Sequence, residues 1–339
     1  MMMMIYRCVC LRVCCTGGTG MVGQSIKKII SIFQDETIIN EQNQEKHEFI
    51  FLNRSLQNEH TIDLTDRAEV SSYFKKYKFD YIIHLAADVG GLFKNLHGNT
   101  SMFSNNIKIN ENILEACVKN GIHRGIFILS SCIFPAEPSA FPMNEHMIHE
   151  SAPHYSNEGY AYAKRMMHMQ CQQYNKTLHT EFICLVPVNL YGPYDNFNPE
   201  NSHLIPGLLH RFHNNKANGC EQMVAYGTGK PLRQMLYAPD FARMIYHSLF
   251  DKSIKGQTII CCNDEEFEIK EIVQHLANVM DIKYDDIQWN TDMSDGCMKK
   301  TVDNSLQKKL FPTFEFTSFE IGIKQTYEWY VNNLNNIRL

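Results

Sequence analysis

Twelve cysteines are present in this sequence, yet no two stand as CxxC, and two pairs, Cys14 with Cys15 and Cys261 with Cys262, are adjacent. That spacing suits neither a structural zinc site nor a regular disulfide framework, and 339 residues provide enough core to need neither. The thiols therefore read as reduced, in a cytoplasmic protein, and no metal is expected. Excess basic charge is also missing: 32 Lys and Arg stand against 37 Asp and Glu, a formal charge of -5. A nucleic-acid partner normally requires a basic face, so none is expected. Nor is there an uninterrupted apolar run of membrane-spanning length. The apolar start MMMMIYRCVCLRVCC is broken by Arg7 and Arg12 and carries neither a basic leader nor a cleavage site. No membrane partner is expected, and residues 1–10 read as a disordered extension. The remaining composition, 44% hydrophobic and 20% charged, is that of an ordinary globular chain.

Short, continuously apolar runs punctuate the first half: RVCCT (12–16), FIFLN (49–53), YIIHLA (81–86), IFILS (126–130) and FICLVP (182–187). Continuous apolarity marks strands buried on both faces, hence a parallel sheet covered by helices. Amphipathic patterns near 21–33, 66–77, 103–120 and 158–175 lie between or after them. This alternation is the signature of an α/β Rossmann-type doubly wound sheet. Residues 11–190 are expected to form the nucleotide-binding domain, with segments near 235–262 returning to it. After Tyr191 the texture turns to Asn, Pro and Gly, with helical patterns at 240–250, 268–280 and 319–331. Residues 191–234 and 263–330 read as a smaller C-terminal lobe, and the polar stretch 34–48 as a surface insertion.

TGGTGMVGQSI follows the first strand and opens the first helix. Gly17, Gly20 and Gly23 permit a tight turn, close approach of a pyrophosphate, and packing of helix on strand, while the helix N-terminus offers free N–H groups. Gly18, Thr19, Met21 and Val22 complete this candidate dinucleotide loop. Where NAD-binding folds place a carboxylate for the ribose, the second strand ends in Asn53, Arg54 and Ser55. A guanidinium there can pair with a 2′-phosphate, which predicts NADP(H) rather than NAD(H).

YAYAK places Tyr160 and Lys164 four residues apart, on one helical face, so that the ammonium can approach the phenol and lower its titration. Ser130 ends the fourth strand, where open α/β sheets bind ligands. Glycine loop, strand-end serine and YxxxK, in this order, resemble the extended short-chain dehydrogenase/reductase family. HLAADVGGLFKN, SSCIFP, VNLYGPYDNFNPENSHLIPGLLHRFH and YGTGKPLRQMLY narrow the resemblance to its GDP-L-fucose synthases.

That resemblance implies NADPH-dependent conversion of a GDP-4-keto-6-deoxy sugar, by epimerisation at C3 and C5 and reduction at C4. It makes Cys132 the base and His203 the acid of the epimerisation, with Ser130, Tyr160 and Lys164 polarising the ketone and delivering the proton. Protons beside a ketone are acidic, and thiol and imidazole titrate near enough to neutrality to exchange them. Leu85, Ala86, Ala87, Lys164, Pro187, Val188, Asn189, Leu190 and His203 are implied as further cofactor contacts. Arg211, Tyr226, Arg233 and Asp295 are implied as contacts to the GDP-sugar, and a homodimer through the helices near 103–120 and 158–175. Thr19, Tyr226, Tyr194 and Val188 stand where relatives commonly carry Arg, Trp, His and Thr. A UDP-sugar 4-epimerase has no use for Cys132 and His203. A 4,6-dehydratase needs an acid near Ser130, and the next carboxylate is Glu137, beyond the proline. A redox sensor or scaffold on the same fold is the remaining alternative.

Overall fold

The computed structural model describes residues 10–34, 46–54, 56, 58–219 and 222–339, with backbone alone for 92–97. The expectations for Ser55, for residues 1–9 and for most of the 34–48 insertion fall outside them.

Six strands, β1 (Arg12–Thr16), β2 (Glu48–Phe51), β3 (Tyr81–His84), β4 (Arg124–Ile128), β5 (Glu181–Pro187) and β9 (Thr258–Cys261), form one parallel sheet in the order β2-β1-β3-β4-β5-β9. The apolar runs of five of them are buried on both faces, while β2, at the sheet edge, is partly exposed. α1 (Met21–Phe33) and α6 (Ala238–Phe250) pack together on one face. α2 (Arg67–Tyr77), α3 (Leu92–Lys119) and α4 (Glu158–Leu178) pack side by side on the other. The expected α/β class is thus the observed one. β2 and β3 lie on opposite sides of β1, so the order in which strands are added reverses there and a crevice opens beyond the C-terminal ends of β1 and β3.

The rest of the chain forms β6 (Asn189–Tyr191), α5 (Leu204–Ala217), β7 (Met223–Tyr226), β8 (Leu232–Tyr237), β10 (Glu266–Glu268), α7 (Ile269–Val279), β11 (Ile287–Asn290), α8 (Ser305–Leu310) and α9 (Phe319–Asn332). β10, β8 and β6 make a three-stranded sheet, and β11 pairs with β7. Buried side chains fall into two clusters, one on the parallel sheet and one among Tyr191, Phe212, Met235, Leu276 and Tyr330. Val302, Leu306, Phe311, Phe314 and Phe316 pack on the first cluster, so this part of the 263–330 stretch lies against the main sheet.

Helix boundaries differ from the sequence pattern most at α3. α3 begins eleven residues before the predicted 103, because Asn99, an indifferent helix former, is fastened from outside. Its Oδ1 accepts from Gly159 N at 3.1 Å and its Nδ2 donates to Tyr155 O at 3.3 Å. α5, fourteen residues long, is a helix that the apolar patterns above do not include.

Candidate active site

Gly17 leaves β1 with φ of 75°, and a Cβ there would lie 3.0 Å from Ala86 N. One on Gly23 would lie 2.5 Å from Gly17 O, so both positions need glycine, one for conformation and close approach and the other for space. Gly18 sits against the Phe51 side chain. Gly20 N donates to Gly17 O at 3.0 Å and Gly20 is the N-cap of α1, with no side chain to fill the cap. The first-turn N–H groups of Met21, Val22 and Gly23 have no intrahelical acceptor. Beside Thr19 they form a cradle, free of side-chain obstruction at the glycines, that fits an anionic pyrophosphate.

At the end of β2, Asn53 is buried and spent on its own loop. Its Oδ1 accepts from Leu56 N at 2.7 Å and its Nδ2 donates to Asn58 Oδ1 at 3.2 Å. Arg54 is exposed and free to meet a phosphate. Its charge also helps hold the Asp63 carboxyl below the usual range, after the hydrogen bonds from Thr65.

Across the crevice, Thr16 Oγ1 accepts from Leu85 N and Ala86 N, both at 3.1 Å, and donates to His84 Nδ1 at 2.8 Å. His84 Nε2 then donates to Asn110 Oδ1 at 3.1 Å, and Asn110 Nδ2 to Ala163 O at 3.4 Å. Burial, with the Lys164 charge adding to it, pushes His84 down to about 3, so the ring is neutral with its proton on Nε2. This network ties the Leu85–Ala86 backbone, and Ala87 after it, to the Lys164 helix. Sequence reasoning missed it, although a polar residue ending each of two apolar strands was a visible signal.

Ser130 and Cys132 share one short turn after β4. Ser130 Oγ accepts from Cys132 N at 3.4 Å, and Ile133 N donates to Ser130 O at 3.1 Å. Lys164 is fully buried in α4. Its Nζ donates to Ile128 O at 2.7 Å and lies 5.8 Å from the centroid of the Tyr160 ring. Arg165 Nε donates to Ile133 O at 2.7 Å. The side chains of Ser130, Cys132, Tyr160 and Lys164 are therefore gathered at one place, the C-terminal end of β4.

Their titration corrects two expectations. The phenol of Tyr160 is pushed up, not down, by burial and then by the neighbouring Cys132. Lys164 does not offset this through a direct bond: its Nζ makes no hydrogen bond to the Tyr160 hydroxyl, and burial brings the ammonium down to about 8. The Cys132 thiol is likewise raised by burial, against the hydrogen bond to Ser130 and the charges of Lys300 and Lys164.

His203 is the N-cap of α5 and is exposed. Its side chain makes no hydrogen bond to any of the four residues above. Its loop nevertheless abuts the β3 side of the crevice. Gly91 N donates to Asn201 O at 3.0 Å, and a Cβ on Gly91 would lie 2.3 Å from Ser202 O. Asp195, buried with one carboxylate oxygen lacking a partner, is raised by burial and lowered by the His203 charge. Pro187 and Val188 continue β5 toward the crevice, and Asn189 Nδ2 donates to Gln234 O at 2.9 Å, leaving Leu190 within β6.

The remaining four residues lie on the second lobe. The Arg211 guanidinium stacks 4.3 Å above the exposed Tyr226 ring, with its Nε buried and unpartnered. Arg233 Nη1 donates to the carbonyl of Leu232 at 2.8 Å. Asp295 accepts from Thr228 N at 2.6 Å and from Thr228 Oγ1 at 2.7 Å, so its carboxylate braces the turn after β7. Burial lowers both arginines, and Asp295 is among the charges that oppose this at Arg233. All ten cysteines among the described residues are free.

Residues 13–261 match the NAD dependent epimerase/dehydratase family. A GDP-L-fucose synthase of Dictyostelium discoideum is 35% identical over 95% of this chain and 96% of its own. A probable GDP-L-fucose synthase of Drosophila melanogaster is 34% identical over 96% and 99%. The crystal structure of a GDP-L-fucose synthetase from Naegleria fowleri bound to NADP superposes with a TM-score of 0.84 at 34% identity, covering 97% of this chain and 96% of that one.

Proposed function

Since the chain belongs to the NAD dependent epimerase/dehydratase family, and within it to the GDP-L-fucose synthases, we propose the following function. GDP-4-keto-6-deoxy-D-mannose is epimerised at C3 and C5 and then reduced at C4, giving GDP-L-fucose. The protein is an NADP-dependent oxidoreductase with epimerase activity. The observation that carries this reading is the convergence of Ser130, Cys132, Tyr160 and Lys164 at the end of β4, beside a glycine cradle suited to a dinucleotide.

Each C3 or C5 proton is acidic because the adjacent C4 ketone can take the electron pair as an enolate. Cys132, as the thiolate, removes that proton, and Ser130 and Tyr160 hold the C4 oxygen while it carries the charge. His203 returns a proton from the opposite face, which inverts the centre. In the reduction, bound NADPH supplies hydride to C4. Tyr160 gives its proton to the C4 oxygen, and the buried ammonium of Lys164 favours the phenolate left behind. Gly17 to Gly23 hold the pyrophosphate, and Arg54 the 2′-phosphate. Arg211 and Arg233 meet the diphosphate or guanine of the substrate, with Tyr226 and Asp295 shaping their surroundings.

Residues 11–190 with 235–262 serve the cofactor in this reading, and 191–234 with much of 263–330 the sugar nucleotide. Phe103 on α3 and Tyr162, Met166 and Met169 on α4 are exposed apolar side chains, which supports a homodimer formed through these two helices. Unpaired thiols support a cytoplasmic location, and among the described residues no helix is long and apolar enough to cross a membrane. The test is NADPH consumption with GDP-4-keto-6-deoxymannose, followed by identification of the sugar. No oxidation of NADPH, or turnover of GDP-mannose or UDP-galactose, would refute the proposal.

A further inference from the structure

Another residue, from far along the chain, lines a cavity together with Cys132, and its role rests on the reading of Cys132 as the carbon-acid base. Residues 297–303 run beside the loop that follows the Ser130 turn. Met143 N donates to Thr301 O at 3.0 Å and Asp303 N to Met143 O at 2.8 Å, forming a parallel bridge between Met143 and Val302. Lys299 Nζ stacks 5.1 Å above the Phe141 ring, and Val302 N donates to the buried Gln234 Oε1 at 2.8 Å. The strap is fixed on both sides of Lys300, which shares with Cys132 a small cavity walled also by His154, Met143 and Cys297.

The titratable groups around this thiol are Tyr160, Lys164 and Arg165 from α4, His154 from the turn before it, and Cys297 and Lys300 from the strap. Tyr160 and Cys297 bring no positive charge. Arg165 is turned onto Ile133 O, and Lys164 onto Ile128 O. Burial and Lys300 together lower His154, so its imidazole is neutral at pH 7. Lys300 is half-buried and, among the described residues, has no hydrogen-bond or ion-pair partner. Unlike Lys164 and Arg165, whose charges also act on this thiol, Lys300 is not anchored to a backbone carbonyl.

We propose that Lys300 is a positioning residue that opposes the effect of burial on Cys132 and favours its thiolate, the form that takes the proton from C3 or C5. A cation that shares a partly buried cavity with a sulfur favours the charged form more strongly than it would in water. When the sulfur gains the proton, the C–H electron pair passes to the ketone, and the loss of negative charge at sulfur is matched by its gain on the C4 oxygen.

The experiment follows carboxamidomethylation of Cys132 by iodoacetamide across pH, read from the mass of the peptide that carries it, in the whole enzyme without substrate. Lys300→Met is expected to slow the reaction about tenfold at pH 7 and to move its midpoint up by about one pH unit. Lys300→Arg should restore both. Solvent-deuterium exchange into the keto sugar should fall by a similar factor in Lys300→Met and recover at higher pH. Lys300→Gln replaces the methionine variant if that one does not fold. An unmoved alkylation midpoint overturns the proposal, whatever happens to the KM for the sugar nucleotide. If Cys132→Ser keeps wild-type exchange, the base assignment fails, while the alkylation shift still reports the Lys300–Cys132 pairing.

Discussion

Arg165 Nε donates to the carbonyl of Ile133 at 2.7 Å, one residue along α4 from Lys164, whose Nζ donates to Ile128 O at the same distance. Two adjacent side chains of one helix thus grip the backbone on either side of Ser130 and Cys132. Arg165→Met leaves the buried Ile133 carbonyl without its donor. A loss of about 1–3 kcal/mol in urea-unfolding stability is expected, together with slower deuterium exchange into the keto sugar. Full stability with full exchange would mean that the turn holds its shape unaided.

Cys132→Ser replaces the thiol by a hydroxyl that ionises far less readily. Deuterium exchange at C3 and C5 is expected to fall by at least about 10²-fold, the contribution typical of a placed base. NADPH binding, followed by its fluorescence, should be unchanged because Cys132 lies off the glycine cradle. Exchange at the wild-type rate would make the sulfur a bystander.

The buried Lys164 titrates at about 8, against an ordinary 10.5. Between those values the unfolded chain binds a proton that the folded one has released, so stability from this group rises with pH across the window. The charge beside Tyr160 is lost over the same range. The rate of C4 reduction is therefore expected to decline above about pH 8 while the urea midpoint gains from this residue. A kcat profile rising through pH 9 would remove Lys164 as the electrostatic support of the phenol.

Arg54 is expected to be the main reader of the 2′-phosphate, since Thr19 brings no charge to it. Arg54→Ala should weaken NADPH binding roughly tenfold, the worth of a charged hydrogen bond at an exposed site, and leave NADH binding as it was. Calorimetric titration of both cofactors measures this directly. Equal weakening of both would assign the arginine to the common part of the dinucleotide.

β1 and α1 were readable to the residue, because an unbroken apolar run and a glycine-opened amphipathic pattern are local signals. The β6-β8-β10 sheet and the β7–β11 pair were not, because short strands with mixed burial acquire partners only through contacts far along the chain. Ser130, Tyr160 and Lys164 announced themselves by order and spacing. Arg165, Lys300 and the Thr16–His84–Asn110 chain did not, because each works through a backbone carbonyl, a sulfur or an amide supplied from a distant segment. Titration was least legible: a four-residue spacing gives the face that Tyr160 and Lys164 share, but not the carbonyl that captures the ammonium.

Gly91 touches the Ser202 carbonyl with no room for one added carbon. The distance between the histidine loop and the wall that follows β3 is consequently set by main chain meeting main chain, with no side chain to flex. A single methyl at that spot would have to wedge the loop outward by about an ångström, a displacement large enough to carry a proton donor out of range of a carbon held in the crevice. Stereochemical fidelity at the sugar would then depend on a residue whose whole contribution is a hydrogen atom.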